Sequence, residues 1–107
     1  MHATVQEINE ALAGFTKVVA LNFISAEIMD AYDLRLVLAD DDEARLILQC
    51  SDVSNLRIAA FGGRLTQLLA LRCRDVRALQ HDRVKLHFSD YEHESFGFDC
   101  FRAEVMS

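Results

Sequence analysis

Carboxylates crowd two short stretches of the sequence: Asp40, Asp41, Asp42 and Glu43 in one, and Asp90, Glu92 and Glu94 around Tyr91 in the other. Calcium is the first chemistry to test against such a run, but it lacks the spaced oxygen ligands and the glycine of an EF-hand loop. Two readings remain. The acids are either solvated turns that keep the chain soluble, or a negative patch that meets a basic surface, such as the substrate cleft of a nuclease, in place of nucleic-acid phosphates. A patch of that kind speeds encounter and weakens with salt. Asp40, Asp41, Asp42, Glu43, Asp90, Tyr91, Glu92 and Glu94 are therefore the candidate partner-binding residues.

Other reactive side chains argue against catalysis. His81, His87 and His93 recur every six residues, a spacing that matches neither the short His–His nor the paired-Cys pattern of zinc sites. Cys50, Cys73 and Cys100 are odd in number and lie 23 and 27 positions apart, which suits reduced, buried thiols of a cytosolic protein. Pairing Cys73 or Cys100 with a histidine would make a thiol enzyme, yet both sit on apolar rows, where burial raises a thiol's pKa. Gly62-Gly63 is an isolated pair that suits a turn rather than a phosphate loop. The expectation is a chain with no catalytic, cofactor-binding or metal-ligating residues.

Basic residues gather between the acidic stretches: Arg57, Arg64, Arg72, Arg74, Arg77, Arg83 and Lys85 stand against Asp75 and Asp82. Without interleaved aromatics they do not form a platform for single-stranded nucleic acid. Their plainer role is to balance the acids within the fold; the other is a groove facing a partner or a phosphate. Residues 27–43, by contrast, hold seven acids and one base, Arg35.

Positioning these residues requires a small set of elements. Val5, Ile8, Leu12 and Phe15 recur at helical spacing, with Thr4 and Glu7 able to form a capping box and Gly14 suited to the exit. Alternation then begins, with Val19, Leu21 and Phe23 on one row. A first hairpin turning at Asp40-Asp41-Asp42 pairs Leu38 with Ala44, Leu36 with Leu46, Leu34 with Leu48 and Tyr32 with Cys50 on one face. Its other face pairs Val37 with Arg45, Arg35 with Ile47 and Asp33 with Gln49. A second hairpin, turning at Tyr91-Glu92-His93, pairs Phe88 with Phe96, Leu86 with Phe98 and Val84 with Cys100, and Lys85 with Asp99, His87 with Gly97 and Ser89 with Ser95. Between them, Leu56, Ile58 and Ala60 alternate as a strand. Leu69, Leu71 and Cys73 read as the inward row of another, with Arg72 and Arg74 outward, although a second helix at about 65–80 also fits the leucine spacing.

Composition bounds the whole. The 107 residues are 51% apolar, carry a net charge of −6 and include no proline, against about 5% on average. That length suits one domain, residues 1–107. The sequence is expected to carry neither a signal peptide nor a membrane-spanning run, and the net acidity disfavours nucleic acid or an anionic membrane as a nonspecific partner. The fold expected is α+β: an N-terminal helix packed on an antiparallel, sandwich-like sheet of six or seven strands.

Within residues 61–105, the run Leu71-Arg72-Cys73-Arg74-Asp75-Val76, then Gln80, Asp82 and Val84, then Asp90-Tyr91-Glu92 and Phe96-Gly97-Phe98-Asp99-Cys100, resembles small β-rich bacterial domains. Some of these are immunity proteins of contact-dependent or polymorphic toxin systems. The resemblance implies a cytoplasmic, non-enzymatic module that neutralises a cognate toxin, such as a nuclease, through its acidic hairpin tips. The alternative is a self-associating scaffold domain, because Val37 and Ile47 fall on the outward face of the first hairpin.

Overall fold

The computed structural model describes residues 4–26, 31–59, 68, 71–76, 85–90 and 96–106. Helix α1 (Val5–Leu12) starts as the sequence requires. Thr4 Oγ1 accepts from the Glu7 amide at 3.1 Å and Glu7 Oε1 accepts from the Thr4 amide at 3.0 Å, completing the capping box. Eight residues are too few to hold a helix in water unaided, and burial of Ile8 and Leu12 supplies what is missing. Gly14, at φ +87°, then takes the chain out in a conformation that L side chains resist.

Eight strands follow among the described residues: β1 (Lys17–Ala26), β2 (Ala31–Ala39), β3 (Arg45–Ser51), β4 (Ser54–Ile58), β5 (Leu71–Asp75), β6 (Leu86–Asp90), β7 (Phe96–Cys100) and β8 (Arg102–Met106). They form two antiparallel four-stranded sheets, in the orders β1-β2-β3-β8 and β4-β7-β6-β5. The sandwich-like α+β fold is therefore as expected, and β8 takes the strand count past six or seven. β5 occupies 71–75 as a strand, with Leu71 and Cys73 buried and Arg72 and Arg74 exposed, so no second helix runs through those residues.

Alternation builds the core. Leu34, Leu36, Leu38, Leu46, Leu48, Cys50 and Ala103 from the first sheet meet Leu71, Cys73, Phe88, Phe96, Phe98 and Cys100 from the second, all nearly or fully buried. Phe98 stacks on Phe88 at 4.9 Å between ring centroids and takes Phe96 edge-on at 5.5 Å, the two geometries that the aromatic quadrupole favours. The sheets share a corner. β3 passes to β4 through Asp52-Val53, β7 passes to β8 through Phe101, and the Phe101 amide donates to Ser51 O at 3.0 Å where the two crossings meet. Helix α1 packs on β5 and β8, and Asn9 pairs with the exposed backbone of β5: its Nδ2 donates to Cys73 O at 3.0 Å and its Oδ1 accepts from Cys73 N at 2.8 Å.

Both hairpin registers differ from expectation by two positions. Leu36 pairs with Leu48, Leu38 with Leu46, Leu34 with Cys50 and Val37 with Ile47, while Phe88 pairs with Phe98, Leu86 with Cys100, His87 with Asp99 and Ser89 with Gly97. A shift of two leaves every side chain on its expected face, so burial could not tell the alternatives apart. In the first hairpin the turn decides. Asp40 Oδ1 accepts from the amides of Asp42 and Ala44, each at 2.9 Å, so Asp40 is the anchor and the turn is Asp41-Asp42-Glu43. The left-handed residue of this turn is Glu43, at φ 66°. The second turn, Tyr91-Glu92-His93, lies outside the described residues, as do Gly62-Gly63. Among the described residues no helix is long and apolar enough to cross a membrane.

Candidate functional site

The first acidic tip is an exposed, tightly held turn. Asp40 is half-buried and its carboxylate is engaged within the turn, whereas Asp41, Asp42 and Glu43 face water. Lys17 on β1 approaches Asp41 Oδ1 at 3.7 Å and Glu43 Oε1 at 3.9 Å, but with those acids 96% and 72% exposed the pairs are weak. Net negative charge survives at the tip.

The second tip divides. Asp90 is fully buried on β6 opposite Leu71, which corrects its assignment as a partner-facing residue: two positions beyond Phe88 on a strand, it shares the inward row. Tyr91, Glu92 and Glu94 lie outside the described residues.

The arginines converge instead on the outer face of the second sheet. One row across its four strands runs Arg72, Ser89, Gly97, Arg57, and the next runs Arg74, His87, Asp99 with Asn55 and Ser54 beyond. Arg64, Arg77 and Arg83 lie outside the described residues. His87 donates from Nδ1 to Asp99 Oδ1 at 2.6 Å, and Asn55 donates to Asp99 Oδ2 at 2.8 Å, so both carboxylate oxygens are engaged. Asn55 takes φ 56° at this point. The Arg57 guanidinium lies across Gly97, since a Cβ built there would stand 2.9 Å from Arg57 Nη2 and 3.6 Å from the Ser89 Cβ. Beside it the Ser89 hydroxyl is buried and has no hydrogen-bond partner among the described residues. Ser89, His87 and Asp99 thus share a face without forming a catalytic triad, which needs the serine hydroxyl bonded to the imidazole. Sequence reasoning missed this constellation because it paired Lys85 with Asp99; outward alternation on three strands was the available signal.

The thiols gather inside. Burial pushes Cys50 well above the ordinary range, reinforced by the hydrogen bond its thiol donates to Cys100 and by repulsion from Cys100, Cys73 and Asp33. Burial likewise pushes Cys73 up to about 12, with Cys100 and Asp75 adding to it. All three cysteines are free and buried, the environment of an inert thiol rather than a nucleophile. Among the described residues no group of three or more His, Cys, Asp or Glu side chains is placed to hold a metal ion; His81 and His93 lie outside them. A cavity of about 100 Å³ between the end of α1 and β5, lined by Asn9, Leu12, Leu68 and Arg72, is well below the roughly 300 Å³ at which organic-ligand pockets begin. Comparison with known proteins finds no matching family model, no matching curated protein and no matching solved structure.

Proposed function

We infer that this chain is a non-enzymatic protein-binding module that engages a basic partner through the tip of the β2–β3 hairpin. What supports it is the division of roles within that tip: Asp40 holds the turn from inside while Asp41, Asp42 and Glu43 present carboxylates to water. A tip already held in one conformation loses little freedom on docking, and clustered charge steers a complementary partner. The resemblance of residues 61–105 to immunity proteins supplies the partner class, a cognate bacterial toxin whose cleft accepts phosphates. Three free thiols accord with a reducing, cytoplasmic setting. Titration calorimetry against the product of the neighbouring gene tests this. Asp41→Lys with Asp42→Lys spares the Asp40 anchor and should weaken the complex at least about tenfold, and rising salt should weaken the unmodified complex. Unchanged affinity in the double variant removes the tip from the interface.

A second reading, self-association, has its own observation. Ala20, Val37, Ile47 and Met106 make an apolar row across the outer face of the first sheet. The edge strand β1 also exposes Val19, Phe23 and Ile24 and has no strand partner on its outer side among the described residues.

A further inference from the structure

We propose that the outer face of the β4-β7-β6-β5 sheet binds a phosphoryl dianion, as free phosphate or a small phosphomonoester, between Arg57 and Arg72 and over the Ser89 hydroxyl. Two independent observations meet there. The first is charge without partners: Arg57, Arg72 and Arg74 form no ion pair among the described residues, although they stand on adjacent rows of one face. The one carboxylate on those rows, Asp99, is already taken up by His87 and Asn55. Guanidinium groups in this position offer several N–H donors and no acceptor to quench them.

The second observation is the hydroxyl itself. Ser89 is 7% exposed and its Oγ has no hydrogen-bond partner among the described residues. Leaving a buried hydroxyl unpaired is unfavourable, and a site built for a ligand is where such a donor is retained. Gly97 completes the arrangement. Lacking a Cβ, it lets the Arg57 guanidinium approach the sheet beside Ser89, where a methyl group would stand 2.9 Å from Nη2.

A tetrahedral dianion fits this set better than the alternatives. Its oxygens accept from two guanidinium forks and a hydroxyl together, whereas a nucleobase would need a stacking ring, and the one ring on these two rows, His87, is held by Asp99. The site is distinct from the acidic tip, which belongs to the other sheet, so neither proposal depends on the other.

Titration of the full chain with inorganic phosphate, followed by ³¹P NMR with ionic strength held constant by sodium chloride, tests the proposal. Saturable one-to-one binding is expected. Arg57→Gln and Arg72→Gln should each weaken it at least about tenfold, and Ser89→Ala should weaken it several-fold, while Arg45→Gln on the other sheet leaves it unchanged. Gly97→Ala keeps every charge but displaces Nη2, and a folded Gly97→Ala protein should also bind more weakly. Glycerol 3-phosphate, titrated in parallel, identifies the source: tighter binding than inorganic phosphate assigns the esterified form, equal binding the free anion. Non-saturable titration, the same response to chloride alone, or full affinity in Arg57→Gln overturns the site.

Discussion

Ser89 offers the sharpest test that a single residue can provide. Its hydroxyl is buried without a partner among the described residues, so Ser89→Ala removes an unpaired polar group while leaving the backbone pairing of β6 intact. The free protein should gain about 1 kcal/mol, read as a higher urea midpoint at unchanged slope. A loss of stability would mean that the hydroxyl already has a partner. The thiols make the complementary case. Cys73 is held at about 12 and Cys50 is also raised, so the folded state keeps both protonated while the unfolded chain ionises near the ordinary value of 9.0. Their contribution is thus fully present below pH 9 and fades as pH rises towards 12. At pH 8 a chromogenic disulfide reagent should label the native chain only as fast as it opens, and all three cysteines at once in denaturant. Prompt labelling of the native protein would contradict the burial.

At the scale of elements, the capping box and the Asn9 bridge carry separable loads. Thr4, through its backbone amide first and its hydroxyl second, holds the Glu7 carboxyl below the usual 4.5. That support is present above pH 4.5 and is lost as pH falls through the lowered value, so α1 should fray first on acidification, seen as loss of helical circular dichroism before the strands melt. Asn9→Ala strips both partners from the Cys73 backbone and should cost about 2 kcal/mol in denaturant unfolding; a neutral result would leave the β5 edge held by α1 packing alone. Glu43→Gly should act oppositely. Glu43 occupies the left-handed position at φ 66°, and glycine there should raise stability by roughly 0.5–1 kcal/mol once its greater unfolded freedom is set against the relieved strain. These elements also show what was legible. The box, the strand faces and the outward arginines Arg72 and Arg74 follow from period and cap chemistry, because each depends on residues a few positions apart. The registers do not, because a two-residue slip preserves every face, and the deciding bonds of Asp40 depend on a turn geometry that four successive acids leave open. That same slip hid the His87–Asp99 pair and the row through Ser89 and Gly97, and with them the candidate anion site. Asp90 was misplaced for a related reason: as an acid beside a turn it reads as solvated, yet strand parity with Phe88 carries it inward.

For the whole molecule, the balance of the four sheet edges decides how it meets a second copy of itself. α1 packs on β5 and β8, and β4 is five residues long, irregular in register and twisted by the left-handed Asn55, the features that discourage edge pairing. β1 is irregular in register only between Val18 and Ala20 and pairs regularly with β2 from Ala20 to Ala26. It runs ten residues with Lys17 as its one charge and leaves Ile24 60% exposed and Val19 46% exposed. Two copies of β1 set antiparallel would place their Lys17 residues at opposite ends, so like charges do not oppose the pairing, and the result is a continuous eight-stranded sheet about a two-fold axis. Under the self-association reading, light scattering should therefore report a mass rising with concentration from 12.1 kDa towards twice that value. Ile24→Lys, which puts a charge on the seam, should hold it at the lower value. A monomer at every concentration up to about 1 mM, where association weaker than about −4 kcal/mol no longer registers, would dismiss the β1 seam and leave the acidic tip and the arginine face as the two proposed surfaces.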